Sequence, residues 1–335
     1  MGREPIPLRA LTVLLNYEFV ISDPRFFNVK LVKSSLADPA MITRLRANPS
    51  FAEAFRGVPN TIEKTTFQIF DQCRAPTVEY PSTICLIHPG ANKRVKAFSI
   101  AQRELLYYHT RYHDGCYKAG GLYQFFFELC PGQKISIQLT DEEPIIIDLK
   151  TGQLVKLQIH GPKLTFITTI TSGPPFKTDT YNNGQKNNEP HLVVMFPHPQ
   201  YPDGIEQRFV VDMTRMQYGE AGRGLHGENY LLGTSSQFHD SMNNICAQAR
   251  VTRTLSLKLE SNGNENEQRL RACAKKAWER WQNRDTEAWC AFCGKPGRAL
   301  QECSECTTQK VFYCCKEHRK SDEKLHEYTC EKNQK

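Results

Sequence analysis

The sequence predicts an α+β body with a largely antiparallel sheet, followed by a helix and a small cysteine-rich module. Three observations carry this. Residues 134–171 alternate apolar and polar side chains in short runs separated by turn residues. Segments 100–113 and 267–284 repeat apolar residues near the 3.6-residue helical period. Seven of the 13 cysteines fall between Cys290 and Cys330, beside His318 and His326, while the other six form no framework.

Each element follows in chain order. Residues 1–35 mix short apolar runs with Pro5, Pro7 and Pro24. Segment 38–55 has helical spacing at Met41, Ile42 and Leu45 and is cut by Pro49. The 100–113 helix places Ala101, Leu105, Leu106 and Tyr108 on one side, with Gly115 as its stop signal. Ile135, Ile137 and Leu139, then Ile145 to Ile147, Leu154 to Ile159 and Leu164 to Ile167 read as successive strands, most simply an antiparallel meander. The Asn-, Gly- and Pro-rich segment 172–190 reads as a long exposed loop. Strands are expected at 192–196 and 209–213, and a helix at 235–250. Polar residues 261–266 mark the domain boundary. The division is a body at 1–260, a linker and basic helix at 261–284, and the module at 285–335. Helix 267–284 sets Leu270, Ala274, Ala277, Trp278 and Trp281 along one side and Arg269, Arg271, Lys275, Lys276, Arg280 and Arg284 on the others.

Composition excludes several classes. No stretch approaches the ~18 apolar residues of a membrane span; segment 10–21 is broken by Asn16 and Glu18 and lacks a cleavage site for a secretory signal. The start Met1-Gly2-Arg3-Glu4-Pro5-Ile6 disfavours myristoylation. The expectation is an intracellular protein in a reducing compartment that keeps its thiols free. Lys93-Arg94-Val95-Lys96 is too short to choose nucleus over cytoplasm. Formal net charge is +7, of which residues 268–284 carry +5. The basic character is one stripe.

The chemistry lies in Cys290-x2-Cys293-x9-Cys303-x2-Cys306-x7-Cys314-x3-His318-x7-His326-x3-Cys330. Zinc prefers four N/S ligands in a tetrahedron, so eight make two closed sites. The Cys-x2-Cys pairs present two sulfurs from one turn, and the i, i+4 pairs Cys314/His318 and His326/Cys330 would share helix faces. Spacing alone leaves sequential and interleaved pairings open. Interleaving ties the whole segment together, which a module of some fifty residues needs because it buries little core.

This run resembles a MYND-type zinc finger, in its two Cys-x2-Cys pairs, the aromatic-Cys pair Tyr313-Cys314, Asp322 and the His326-x3-Cys330 ending. The resemblance implies two zinc ions, one on Cys290, Cys293, Cys314 and His318, the other on Cys303, Cys306, His326 and Cys330. His318 stands where the family usually has Cys, and Glu323 where a Trp usually follows the Asp. Cys315 is an alternative to Cys314, disfavoured by the aromatic-Cys register. The closing Cys-x2-Cys of a RING finger is missing. Residues 209–233, with Asp212, Met216-Gln217-Tyr218-Gly219, Gly222-Arg223-Gly224 and Tyr230, resemble a segment of fungal proteins that end in a MYND finger, which implies kinship more than chemistry.

Other signals read as structural. Gly222-Arg223-Gly224-Leu225-His226-Gly227 fits G-x-G-x-x-G, but the helix expected next begins about eight residues later, unlike a dinucleotide loop. His109-x3-His113-x2-Cys116 lacks the Glu of a zinc-protease helix and reads as a helix terminus. No Walker loop, nucleophile elbow or kinase signature is present, and the active-site element of MYND-containing methyltransferases has no counterpart. The module's side chains sum to zero, and about −2 once six thiolates bind two zinc ions, so it should not bind nucleic acid. The expectation is a non-enzymatic adaptor whose finger docks a short protein segment, proline-rich by the family's example, with no membrane partner. The alternatives are an enzyme with its active site in the body and a chromatin-associated regulator using the basic helix.

Overall fold

The computed structural model describes residues 4–58, 64–72, 86–173, 177–256, 265–306 and 310–330. Ile6–Pro7 (β1) runs directly into Leu8–Ser22 (α1). The early apolar runs are thus one helix. It shows no amphipathic stripe because nearly every residue from Leu11 to Val20 is buried. Val29–Ser34 (β2) and Met41–Arg46 (α2) follow. The 38–55 segment is one short helix and two 3-10 turns, Pro49–Phe51 and Glu53–Phe55. Pro49 cannot continue α2, and Asn48 caps the first turn by accepting from Ser50 N. After Thr65–Gln72 (β3) come Lys93–Lys96 (α3) and Ile100–Arg111 (α4), the latter started by a Ser99–Gln102 capping box. Gly115 is not a stop. Asp114 takes left-handed backbone and Gly115–Leu129 (α5) begins at once.

Lys134–Ile137 (β4) pairs with Ile145–Asp148 (β5) antiparallel and with β1 parallel. The next strands correct the meander. Gln153–Pro162 (β6) and Thr165–Ser172 (β7) are neighbours in sequence but enter different sheets. The loop expected at 172–190 is also corrected, since Lys177–Asn183 (β8) and the start of Asn188–Phe196 (β9) lie there. β8 is an edge strand whose Thr178, Asp179 and Thr180 are exposed, and this makes it look like loop. Phe209–Asp212 (β10) and Leu231–Thr234 (β11) precede Ser235–Met242 (α6). The helix expected to reach 250 ends there, and Cys246–Ser256 (β12) pairs with β6 instead. Glu265–Gln282 (α7), Gln301–Glu302 (β13), Phe312–Tyr313 (β14) and Lys316–Glu327 (α8) complete the chain.

Two larger sheets organise the body. One, β11-β10-β9-β6-β12, is antiparallel throughout. The other, β2-β3-β7-β8, has a parallel pair β3/β7 at its centre and antiparallel flanks. The period-2 alternation of β9 buries both faces of the first sheet. Leu192, Val194 and Phe196 join the main core with α1, α4, α5 and α7, whereas Val193 and Met195 meet Phe238 and Met242 of α6. α7 sends Leu270, Cys273, Ala274, Ala277 and Trp281 into that main core. Of the expected 261–266 boundary, residues 261–264 lie outside the described residues, and Glu265 and Asn266 are in the first turn of α7.

Candidate metal centre

Tight turns and one short strand bring the eight candidate ligands together. At the first knuckle Gly294 N donates to Cys290 O (2.8 Å) and Cys290 N to Lys295 O (2.9 Å). Gly294 has φ +76°, and a Cβ there would lie 2.6 Å from Tyr17 Cβ and 2.7 Å from Val13 O. Glycine is required because the knuckle is pressed onto α1. At the second, Cys303 N donates to Val311 O (2.8 Å). The expected helix-face spacing is corrected in part. Cys314 precedes α8, delivered by the end of β14, and Cys330 follows it; only His318 and His326 lie on the helix.

Two groups of four result, each with its ligand atoms within 4.8 Å of one another: Cys290, Cys293, Cys314 and His318, and Cys303, Cys306, His326 and Cys330. In the first, His318 Nδ1 lies 3.0 Å from Cys314 Sγ and 3.5 Å from Cys290 Sγ, and the sulfurs of Cys293 and Cys314 are 3.8 Å apart. In the second, His326 Nε2 lies 3.3 Å from Cys303 Sγ and 3.4 Å from Cys306 Sγ, with Cys306 and Cys330 sulfurs 3.8 Å apart. A tetrahedron with Zn–S bonds of about 2.3 Å has S–S edges of about 3.8 Å, so the donor sets fit zinc. The first and third pairs combine, as do the second and fourth. Cys315 is half-buried at the N-cap of α8, outside both groups.

The electrostatics suit a cation. Hydrogen bonds from Cys293 and Cys314 hold Cys290 far below the usual thiol range despite its burial, which favours thiolate. Burial opposes charge on His318, but Cys290, Cys314, Cys315 and Glu104 outweigh it and push the imidazole up. Zinc would replace that proton as the positive charge, because metal binding releases protons from its ligands. Burial, then Arg9 and Arg319, push His326 down, keeping it in the neutral form a ligand needs.

Body side chains reach this centre at several points. Glu104 Oε1 of α4 lies 2.5 Å from His318 Nε2. Arg9 of α1 pairs with buried Asp322, which also accepts from Tyr313 OH (2.8 Å). Arg280 of α7 donates to Glu18 Oε1 (3.0 Å) and to Gly294 O (2.5 Å). Gln138 Nε2 donates to Tyr328 O (3.1 Å). None of these partners is marked by a motif; burial of Glu18, Glu104 and Arg280 is their only signature, and burial is not visible in a sequence.

The remaining sequence candidates disperse. His109 packs on Phe166 with Nδ1 2.6 Å from Gln68 Nε2; His113 Nδ1 lies 2.9 Å from Asn183 Oδ1. Gly222 and Gly224 serve close packing, since a Cβ on Gly224 would lie 2.2 Å from Tyr230 O, and Gly227 takes a positive φ of +95°. The basic helix is largely paired: Arg271 with Glu128 and Glu267, Arg280 with Glu18, Arg284 with Glu4, Lys275 with Glu279. Sequence reading also missed a buried pair, His191 Nε2 and Asp212 Oδ2, 2.7 Å apart.

The chain is therefore an α+β protein that carries a small finger built to hold two zinc ions. Residues 290–330 match the family model of the MYND finger, and the two Cys/His clusters within that segment are each fit to hold a zinc ion. Comparison with curated proteins found no match, and comparison with solved structures found none.

Proposed function

We propose that this protein is a non-enzymatic, intracellular adaptor whose MYND finger docks a short partner segment, proline-rich by the family's example, while the body supplies a second contact. The observation that carries the reading is the pair of four-ligand clusters within a segment matching the MYND finger. Residues spent on holding two ions are not available for open-site zinc catalysis, which keeps one coordination position for water or substrate. No helix among the described residues is long and apolar enough to cross a membrane.

The enzyme alternative needs a hollow with converging titratable groups. One hollow, of about 170 Å³, is lined by Lys33, Ser34, Asp38, Met41, Arg44, Leu45 and Asn92. A second, an open one of about 480 Å³ beside α7, contains Glu18 and Arg280, which are bonded to each other. The buried His191–Asp212 pair lines neither. The ion pairs along α7 likewise occupy cations that a nucleic-acid surface would use.

The test is binding of the full zinc-loaded chain to immobilised proline-rich peptides and scrambled controls. The reading expects sequence-dependent binding that disappears in Cys303→Ser. Equal binding to scrambled peptides, or binding that survives loss of zinc, would reject it.

A further inference from the structure

His318 is the non-sulfur ligand of its cluster, and it is bonded on both sides. Nδ1 faces the sulfurs of Cys314 and Cys290, at 3.0 and 3.5 Å. Nε2 faces Glu104 Oε1 at 2.5 Å. Glu104 belongs to α4, 214 residues away in sequence, and is 4% exposed, as is His318. Phe292 packs against the imidazole, with ring centroids 4.8 Å apart. The ring is thus fixed by sulfur, carboxylate and aromatic neighbours at once.

A cysteine at this position would end at its single donor atom. Imidazole has two nitrogens, so it can bind a metal with one and a second protein group with the other. A carboxylate can only accept, so the nitrogen facing it must carry hydrogen. That leaves the Nδ1 lone pair for the ion. Such an outer carboxylate sets ring orientation and raises ligand basicity.

We propose that Glu104 is a positioning residue for the first zinc site, holding His318 as the Nδ1 ligand and making zinc retention in the finger depend on the body. The inference rests on zinc occupying the finger and is independent of which partner the finger docks. The second site provides an internal control, because His326 presents Nε2 to its own sulfurs and is half-exposed.

The experiment uses the full zinc-loaded chain with excess chromogenic chelator and reads two one-zinc phases of release. Glu104→Gln keeps the side-chain shape and removes the carboxylate. It should speed one phase roughly 10–100-fold and leave the other unchanged. In a His318→Cys background the same substitution should alter neither phase, because the thiolate offers nothing for Glu104 to hold. Unchanged release in Glu104→Gln, equal acceleration of both phases, or undiminished acceleration in the His318→Cys background would each overturn the proposal. A measurement on the unmutated protein does not depend on any variant folding. Long-range ¹H–¹⁵N spectra of the zinc-loaded chain should show His318 with a protonated Nε2 and a metal-bound Nδ1. The reverse tautomer would overturn the assignment.

Discussion

The body and the finger are ordered by different materials. The body buries both faces of its five-stranded sheet and wraps α1 with α5 and α7. The finger's own buried cluster consists of four cysteines, Phe292 and Tyr313. Its segment 285–335 holds only Leu300, Val311 and Leu325 among Leu, Ile and Val. Even fully buried, three such side chains at about 1.5–3 kcal/mol each fall far short of the backbone entropy of the segment, roughly 1–2 kcal/mol for every residue it orders. A structural zinc site contributes an apparent ~10–16 kcal/mol. Apolar burial suffices for one region and metal must serve the other, and the two are joined by buried polar contacts and by the Gly294 knuckle pressed onto α1.

Metal removal should produce the largest effect and would break the comparison if it fails. A strong chelator is expected to expose amides of 290–330 to hydrogen exchange while β6 and β7 stay protected. Loss of protection in both regions at the same chelator concentration would show that the finger is part of the body's cooperative core. Protection retained in 290–330 after zinc is gone would show that the finger's order does not come from metal.

The joint between the regions comes next. Arg280 is 8% exposed and spans Glu18 and the carbonyl of Gly294. Removing one partner of a buried ion pair costs about 3–5 kcal/mol, because the other charge stays buried alone. Arg280→Ala should lower stability by that order in urea unfolding. Arg271→Ala, on the exposed side of the same helix, should cost ~1 kcal/mol or less. Similar losses in the two variants would mean that Arg280 does not join the regions.

The same division governs what could be read from the sequence. The finger was legible because its order is written in ligand identity and spacing, both linear properties. The strands at 192–196 and 209–213 were legible because each is short, apolar and flanked by turn residues. The routes of β6 and β7 were not. Their partners β12 and β3 lie about ninety to a hundred residues away, as in the Ala249↔Ile159 and Thr65↔Thr165 registers. The short connection between them, Lys163 and Leu164, carries no information about those partners. α1 is not legible because full burial erases the helical stripe, and α5 is not because Gly115 has the form of a helix end while left-handed Asp114 makes it a beginning. Glu104 and Arg9 were invisible as finger residues, since only the fold brings α4 and α1 against it.

A gradual effect, spread over several pH units, separates the regions by pH. In acid the finger should lose zinc, because its ligands must be deprotonated. In alkali the body has its own liability. Burial alone would lower the pKa of His191, but the Asp212 carboxylate and its hydrogen bond hold it up to about 10. The Gln217 amide, 3.1 Å from Nδ1, can turn its oxygen to the protonated ring. An unfolded chain has this imidazole near ~6.5. Below that value both states are protonated and the contribution is fully present. Between there and about 10 the folded state keeps a proton that the unfolded state has released, so stability falls with rising pH, by at most ~1.4 kcal/mol per unit. His109 has the opposite sign. Burial, aided by His113, lowers it to about 3, so its contribution is lost as pH falls from ~6.5 towards that value. Urea midpoints of the zinc-loaded protein should therefore decline on the alkaline side, and His191→Gln should flatten that limb without altering zinc content. A wild-type midpoint constant from roughly pH 7 to pH 9.5, near the window set by these pKa values, would show that His191 carries no extra proton in the folded body.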